Sequence, residues 1–284
     1  MENLNQSIKE KVQVSGLVFD GTTQFHSLAE GLPVISDDNY YDDRRYVTNS
    51  MLTKLNQSPN KLADYLKGIK DYSDAFVIGD AVHKGILEPH KLKMAVWNNS
   101  MLPSPDQTMR ANVNKEWFKK FQADNTDSII LHEKDYNDVM GMIDSINRRE
   151  EVMQDIRGAR YETIALKWVN GIPCKAKADI IKGSTIIDIK TTNNIELNDF
   201  KHSCIDYGYF RQAAFYLNMF NADKFKFIVV EKNAPYRVAV YEMSLESINR
   251  GWNEIVSLLE TYKYYFVDDI FGEKLSVNII KGTL

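Results

Sequence analysis

Cysteine is almost missing from this chain: Cys174 and Cys204 are the only two in 284 residues. A disulfide-held scaffold is therefore excluded, and two thiols are too few for a cysteine-built zinc or iron–sulfur site. No apolar run is long enough to span a bilayer. The N-terminal stretch MENLNQSIKEKVQVSG has no charged-then-apolar leader pattern. The expectation is a cytoplasmic protein with no membrane partner. An excess of positive charge is missing too, since 35 Lys and Arg face 39 Asp and Glu for a net charge of −4. Binding nucleic acid through overall charge is thus unsupported, although a local basic channel or metal ions could offset phosphate charge. With only seven prolines and 14 glycines, the chain also shows no low-complexity linker, and no internal repeat is visible.

What is present suits a globular protein. The hydrophobic fraction is 44% and the charged fraction 26%, both ordinary, and the length allows a substantial core. Three regions follow from the patterning. Residues 1–40 are polar and weakly periodic, an N-terminal arm with little regular structure. Residues 41–150 form a helical region, with helices expected over 51–55, 60–67, 74–87 and 136–148. His83 lies in the third of these and, on that stretch alone, reads as a histidine satisfied by hydrogen bonds. Between these helices, Arg110, Lys115, Lys119 and Lys120 accompany Trp117 and Phe118. This patch fits either a surface that follows a phosphate backbone or an amphipathic helix with a solvated basic face.

Residues 151–284 read as the core domain with a C-terminal helix. Strands are expected over 161–169 and 172–181, joined by the hairpin pair Asn170-Gly171, and over 185–190. A helix over 205–220, strands over 224–231 and 236–241, and a long amphipathic helix starting at Ser244 complete the domain, followed by a tail. The fold class is α/β (α+β), with a central mixed sheet flanked by helices and an N-terminal helical region.

The chemistry concentrates in Ile-Ile-Asp-Ile-Lys-Thr-Thr, residues 186–192. Strand side chains alternate, so Asp188 and Lys190 share one side. Asp179, late on the preceding strand, adds a second carboxylate, and Glu162 at the start of the strand before that adds a further acid. Two acids and a lysine from adjacent strands can hold a hard divalent cation, Mg2+ or Mn2+, with a helper for activating water. The competing reading is an ion-paired rung at a sheet edge. The apolar neighbours disfavour it, because unpaired charges there are costly.

Several ordered motifs carry a resemblance: Cys174-Lys175-Ala176-Lys177-Ala178-Asp179, Ile187-Asp188-Ile189-Lys190-Thr191-Thr192, Tyr207-Gly208-Tyr209 and Gln212-Ala213-Ala214-Phe215-Tyr216, preceded by Ile78-Gly79-Asp80-Ala81-Val82-His83. Together they resemble the PD-(D/E)xK nuclease superfamily, and within it the phage and prophage exonucleases of the RecE (exonuclease VIII) type, related to RecB and Cas4 nuclease domains. The resemblance implies a restriction-endonuclease-like core. It makes His83, Asp179 and Asp188 metal ligands together with the backbone carbonyl of Ile189, and Glu162 an acid of less constant role. Lys190 becomes the catalytic lysine, and Gln212 and Tyr216 the helix beside the active site. It further implies 5′-to-3′ digestion of double-stranded DNA ends for recombination, a single-strand annealing partner, and a homo-oligomer encoded by a phage or prophage. Arg110, Lys115 and Arg211 are candidate phosphate contacts. The alternatives are a structure-specific or restriction-type endonuclease, or a DNA-binding protein that keeps the fold without turnover.

Overall fold

Asn170 and Gly171 both have positive φ, 47° and 76°, as a two-residue type I′ hairpin requires. Their turn closes β4 (Arg160–Val169) onto β5 (Ile172–Lys182), and a second turn sends the chain back as β6 (Thr185–Thr192). The computed structural model describes residues 25–28, 31–32, 35–36, 39–69 and 74–268. The expectations for residues 1–24 and for the tail beyond 268 lie outside them.

The meander β4-β5-β6 is the middle of a six-stranded mixed sheet. β1 (Phe25–Leu28) adds in parallel to β4 at one edge, β7 (Lys224–Glu231) runs parallel to β6, and β8 (Val238–Glu242) is antiparallel at the other edge. Helices cover both faces. On one, α1 (Asn49–Gln57), α2 (Pro59–Leu66), α8 (Tyr209–Phe220) and α9 (Leu245–Tyr262) bury Leu52, Leu62, Phe215 and Ile255 against Ile186, Phe225 and Phe227. On the other, α3 (Asp74–Leu87), α5 (Glu133–Asn147) and α6 (Glu150–Ile156) bury Val82, Met142 and Ile156 against Ile187, Ile189 and Ile228. The alternation of β6 thus sends Ile186 to one core and Ile187 and Ile189 to the other. Each fully buried isoleucine stabilises by about 1.5–3 kcal/mol, so a one-residue slip of this strand is strongly opposed.

Four features differ from the sequence reading. Part of the arm is regular, since β1 pairs with β4. Residues 94–97 and 129–132 pair as the two-stranded parallel sheet of β2 (Met94–Trp97) and β3 (Ile129–His132), with α4 (Asn112–Asp124) between them in sequence. The short helix α6 was not expected. The single helix expected over 205–220 is two, α7 (Leu197–Asp206) and α8, broken at Tyr207-Gly208. Gly208 has φ 68°, a left-handed conformation that favours glycine, and a Cβ there would press on the Arg211 guanidinium. No helix among the described residues is long and apolar enough to cross a membrane.

Candidate active site

Three acids fall in one row across the meander. In the β4–β5 ladder the pairs Tyr161↔Ile180 and Thr163↔Ala178 leave Glu162 opposite Asp179. In the β5–β6 ladder the last pair at this end is Ile180↔Ile187, which leaves Asp179 opposite Asp188. Neither acid pair belongs to a ladder. Glu162 has φ 47°, a left-handed conformation that costs a non-glycine residue about 1–3 kcal/mol and tends to persist where side chains must be re-aimed. Where these carboxylates meet, the β5–β6 ladder ends and the β4–β5 ladder skips one pair.

Helices from opposite faces reach this opening. From the second face, His83 on α3 places Nε2 2.6 Å from the Ile189 carbonyl oxygen and Nδ1 3.2 Å from Asp179 Oδ2. A Cβ on Gly85 would come 2.2 Å from Ile143 Cδ1, so a glycine here lets α3 sit close to α5. From the first face, Gln212 on α8 donates from Nε2 to Asp188 Oδ1 at 2.5 Å. Lys190 Nζ lies 2.7 Å from Asp188 Oδ2, with the Tyr209 ring centroid 5.0 Å away and that of Phe227 at 5.9 Å. The Tyr216 ring packs near Phe220 and Phe225. Glu162 is paired with Lys177 at 2.7 Å.

The charges respond to burial and to one another. Burial opposes an imidazolium at His83, but the Asp179 carboxylate outweighs it and Asp188 adds to it, holding this histidine up to about 9. Burial raises Asp179, yet the charge and hydrogen bond of His83, with the charge of Lys190 and the Ile189 N–H, together offset it and hold the carboxyl below its ordinary value. Asp188 goes the other way, since burial, reinforced by Asp179, raises it despite Lys190. Burial disfavours the Lys190 ammonium, but Asp188 and its neighbours keep it protonated. Burial likewise pushes Tyr216 well above the ordinary phenol range, so its hydroxyl stays protonated.

The family described as PDDEXK-like domain of unknown function (DUF3799) matches residues 48–267. The chain belongs to this family. Its fold is similar to that of a crystal structure from Eubacterium rectale, a protein provisionally named an exonuclease, with a TM-score of 0.57 at 13% identity over 89% of this chain and 97% of that one. Weaker similarity extends to an alkaline exonuclease from Laribacter hongkongensis (TM-score 0.38, 12% identity, 81% of this chain and 93% of that one). A phage-related exonuclease from Haemophilus somnus also matches (TM-score 0.30, 14% identity, 56% of this chain and 84% of that one). No curated protein sequence matches the chain.

In this PDDEXK-like domain, His83, Glu162, Asp179, Asp188, Ile189, Lys190, Gln212 and Tyr216 are gathered at one opening. The three candidate phosphate contacts are not. Arg211 is 1% exposed. Its guanidinium donates to Glu254 on α9, and at 2.8 Å to Thr53 Oγ1 on α1. It ties three helices together and cannot meet DNA. Arg110 and Lys115 are exposed, but no contact among the described residues links them to the acids. The aromatic side of α4 is occupied, because Trp117 and Phe118 pack around Trp97. Sequence reasoning missed two cations' surroundings: Lys177 as the partner of Glu162, and Tyr209 beneath Lys190. Lys177 stands two residues before Asp179, as Lys190 stands two after Asp188, so strand alternation could have found it.

Asp179 Oδ2 and Asp188 Oδ2 are buried and lack a hydrogen bond of good geometry despite their charged neighbours. Such oxygens fit a hard cation, which takes carboxylate and carbonyl donors. Among the described residues no three His, Cys, Asp or Glu side chains already stand as a ligand set. The donors available to a metal are therefore these two carboxylates, the Ile189 carbonyl and, if it turns from its present partners, His83.

Proposed function

We propose that the chain is a metal-dependent deoxyribonuclease that hydrolyses phosphodiester bonds from duplex DNA ends. The observation that carries this reading is the pair of buried, incompletely bonded carboxylates Asp179 and Asp188 beside a protonated Lys190, in a PDDEXK-like family. Asp179, Asp188 and the Ile189 carbonyl, joined by His83, would hold Mg2+ or Mn2+. When bound, the metal lowers the pKa of a coordinated water and offsets charge on the phosphate.

The chain's own groups do the rest. Lys190 is held protonated, so it acts as a hydrogen-bond donor that orients the attacking water and stabilises charge growing on the phosphate oxygens. The face of Tyr209 flanks its ammonium, and such cation–π contact restricts where it sits. Gln212 fixes the Asp188 carboxylate through Oδ1, leaving Oδ2 for the site. Tyr216 closes the opening from α8 as a neutral phenol. Glu162 is balanced by Lys177 and has no fixed role as ligand.

The exonuclease name of the similar Eubacterium rectale structure supports action at ends. The motif resemblance supports 5′-to-3′ polarity, production of single strands for recombination, an annealing-protein partner, and assembly as a homo-oligomer. The test is digestion of a linear duplex carrying a different end label on each strand, with and without Mg2+, beside a covalently closed circle. The expected result is Mg2+-dependent loss of the 5′ label as mononucleotides with the circle spared. Rapid cutting of the circle makes the enzyme an endonuclease, and binding without any cleavage makes it a non-catalytic DNA-binding protein.

A further inference from the structure

A cavity of about 230 Å³ opens beside Tyr209, lined by Thr191, Asn193, Asp199, Tyr207 and Lys232 among others. It sits at the carboxyl ends of the parallel strands β6 and β7, where Lys232 N–H donates to the Thr192 carbonyl at 2.8 Å. That end of parallel strands is where open α/β sheets characteristically bind ligands. Tyr209 belongs both to this cavity and to the surroundings of the Lys190 ammonium, so the cavity adjoins the proposed reaction centre.

The lining selects among ligands. A drug-sized pocket has roughly 300–1,000 Å³, so this one takes a fragment about the size of one base. Asp199 would repel a phosphate placed deep inside. Asn193, Thr191 and Asp199 offer neutral and acidic polar edges suited to the hydrogen-bonding edge of a base. The inner wall is ordered in advance: Asn194 Nδ2 donates to Asp199 Oδ2 at 2.7 Å, and Thr192 Oγ1 donates to the Asn194 carbonyl at 3.0 Å. Tyr207, 63% exposed, stands at the rim with its ring 5.7 Å from that of Tyr209 and tilted by 32°. The helix break at Gly208 holds both rings at this edge. Lys232 is the only lysine or arginine in the lining, and no carboxylate among the described residues pairs with it. Its ammonium can meet the phosphate that follows the base.

We infer that this cavity is a nucleotide subsite, in which the unpaired base next to the scissile phosphate is drawn out of the duplex end and stacks on Tyr207. Aromatic side chains serve single-stranded nucleic acid in this way, because every base has a face to stack. The inference rests on the nuclease reading and deepens it. It assigns to Tyr207 the holding of the base, and to Asp199 and Asn193 its polar edge.

The test uses the full chain with Mg2+ and two linear duplexes, one intact and one with an abasic nucleotide at the terminal position. Tyr207→Ala is expected to raise KM on the intact duplex by about 5- to 150-fold, the range base stacking on an aromatic ring supplies. Tyr207→Trp should restore it. On the abasic duplex the wild type should show the same loss, and Tyr207→Ala no further loss. An exposed tyrosine is not needed for folding, and an unchanged thermal transition checks this. If Tyr207→Ala leaves KM on the intact duplex unchanged, or raises it equally on both duplexes, the subsite assignment is overturned while the nuclease reading stands. If the wild type degrades neither duplex, the nuclease reading fails and the subsite with it.

Discussion

Two buried carboxylates stand on neighbouring parallel strands, and their surroundings treat them in opposite ways. Glu231, at the end of β7, receives a two-pronged clasp from Arg237, with Nε and Nη2 each 2.8 Å from a carboxylate oxygen. The hydrogen bonds from Arg237 hold its carboxyl below the ordinary value. Asp188, on β6, is raised by burial and by Asp179, and its Oδ2 meets only the Lys190 ammonium, at 2.7 Å in a geometry poor for a hydrogen bond. A saturated carboxylate is at rest. One left short of donors in a dry setting is costly, and a cation can relieve it. The contrast separates a structural ion pair from a reactive one by bonding completeness, where burial alone (5% and 4% exposed) does not.

The largest effect that could break this contrast is on catalysis. Lys190→Ala should lower cleavage by about 10²–10³-fold or more while leaving DNA binding by gel shift largely intact. A variant that cuts as fast as the wild type removes Asp188–Lys190 from the reactive class. Next is Arg211→Ala, which strands Glu254 and should cost on the order of 3 kcal/mol in denaturant unfolding. DNA affinity of the folded fraction should be unchanged, and a specific loss of affinity would restore Arg211 as a phosphate contact.

A third effect is pH dependence. Because His83 is raised from 6.5 to about 9, its contribution to stability of the metal-free protein is fully present below pH 6.5 and is lost as pH rises through about 9. A protonated imidazole cannot ligate, so Mn2+ affinity measured by calorimetry should climb with pH up to about 9, by at most about tenfold per unit for one released proton. A flat profile means that His83 is not a ligand. The smallest effect belongs to the other half of the comparison. Arg237→Ala leaves the buried Glu231 carboxylate without its clasp and should lower Tm, but it should leave cleavage unchanged. Loss of cleavage there would put Glu231 in the reactive class as well.

Much of the site was legible before any fold was known. Asp188 and Lys190 share a side by strand alternation, and the turn at Gly183 between β5 and β6 brings Asp179 back toward them. His83 was different: its own helix marks it as an ordinary histidine, and only the ordered motifs pointed elsewhere. Arg211 was misread because its partner Glu254 lies 43 residues away, and an arginine beside an active-site glutamine looks alike from sequence whether it faces DNA or another helix. The strand at residues 25–28 was missed for the same reason, since its partner begins at Ile164. The split between α7 and α8 could have been anticipated from Gly208.

The chain by itself determined the strand meander, the two apolar faces of β6 and the types of group available for chemistry, because these rest on local periodicity and turn chemistry. Only the tertiary structure decided that Glu162, Asp179 and Asp188 fall in one row where pairing is interrupted, and that His83 and Gln212 approach it from opposite faces. It also decided which carboxylate is saturated and which is not. Register, desolvation and long-range partners are collective properties, set when distant segments exclude water together, and no window along the sequence contains them.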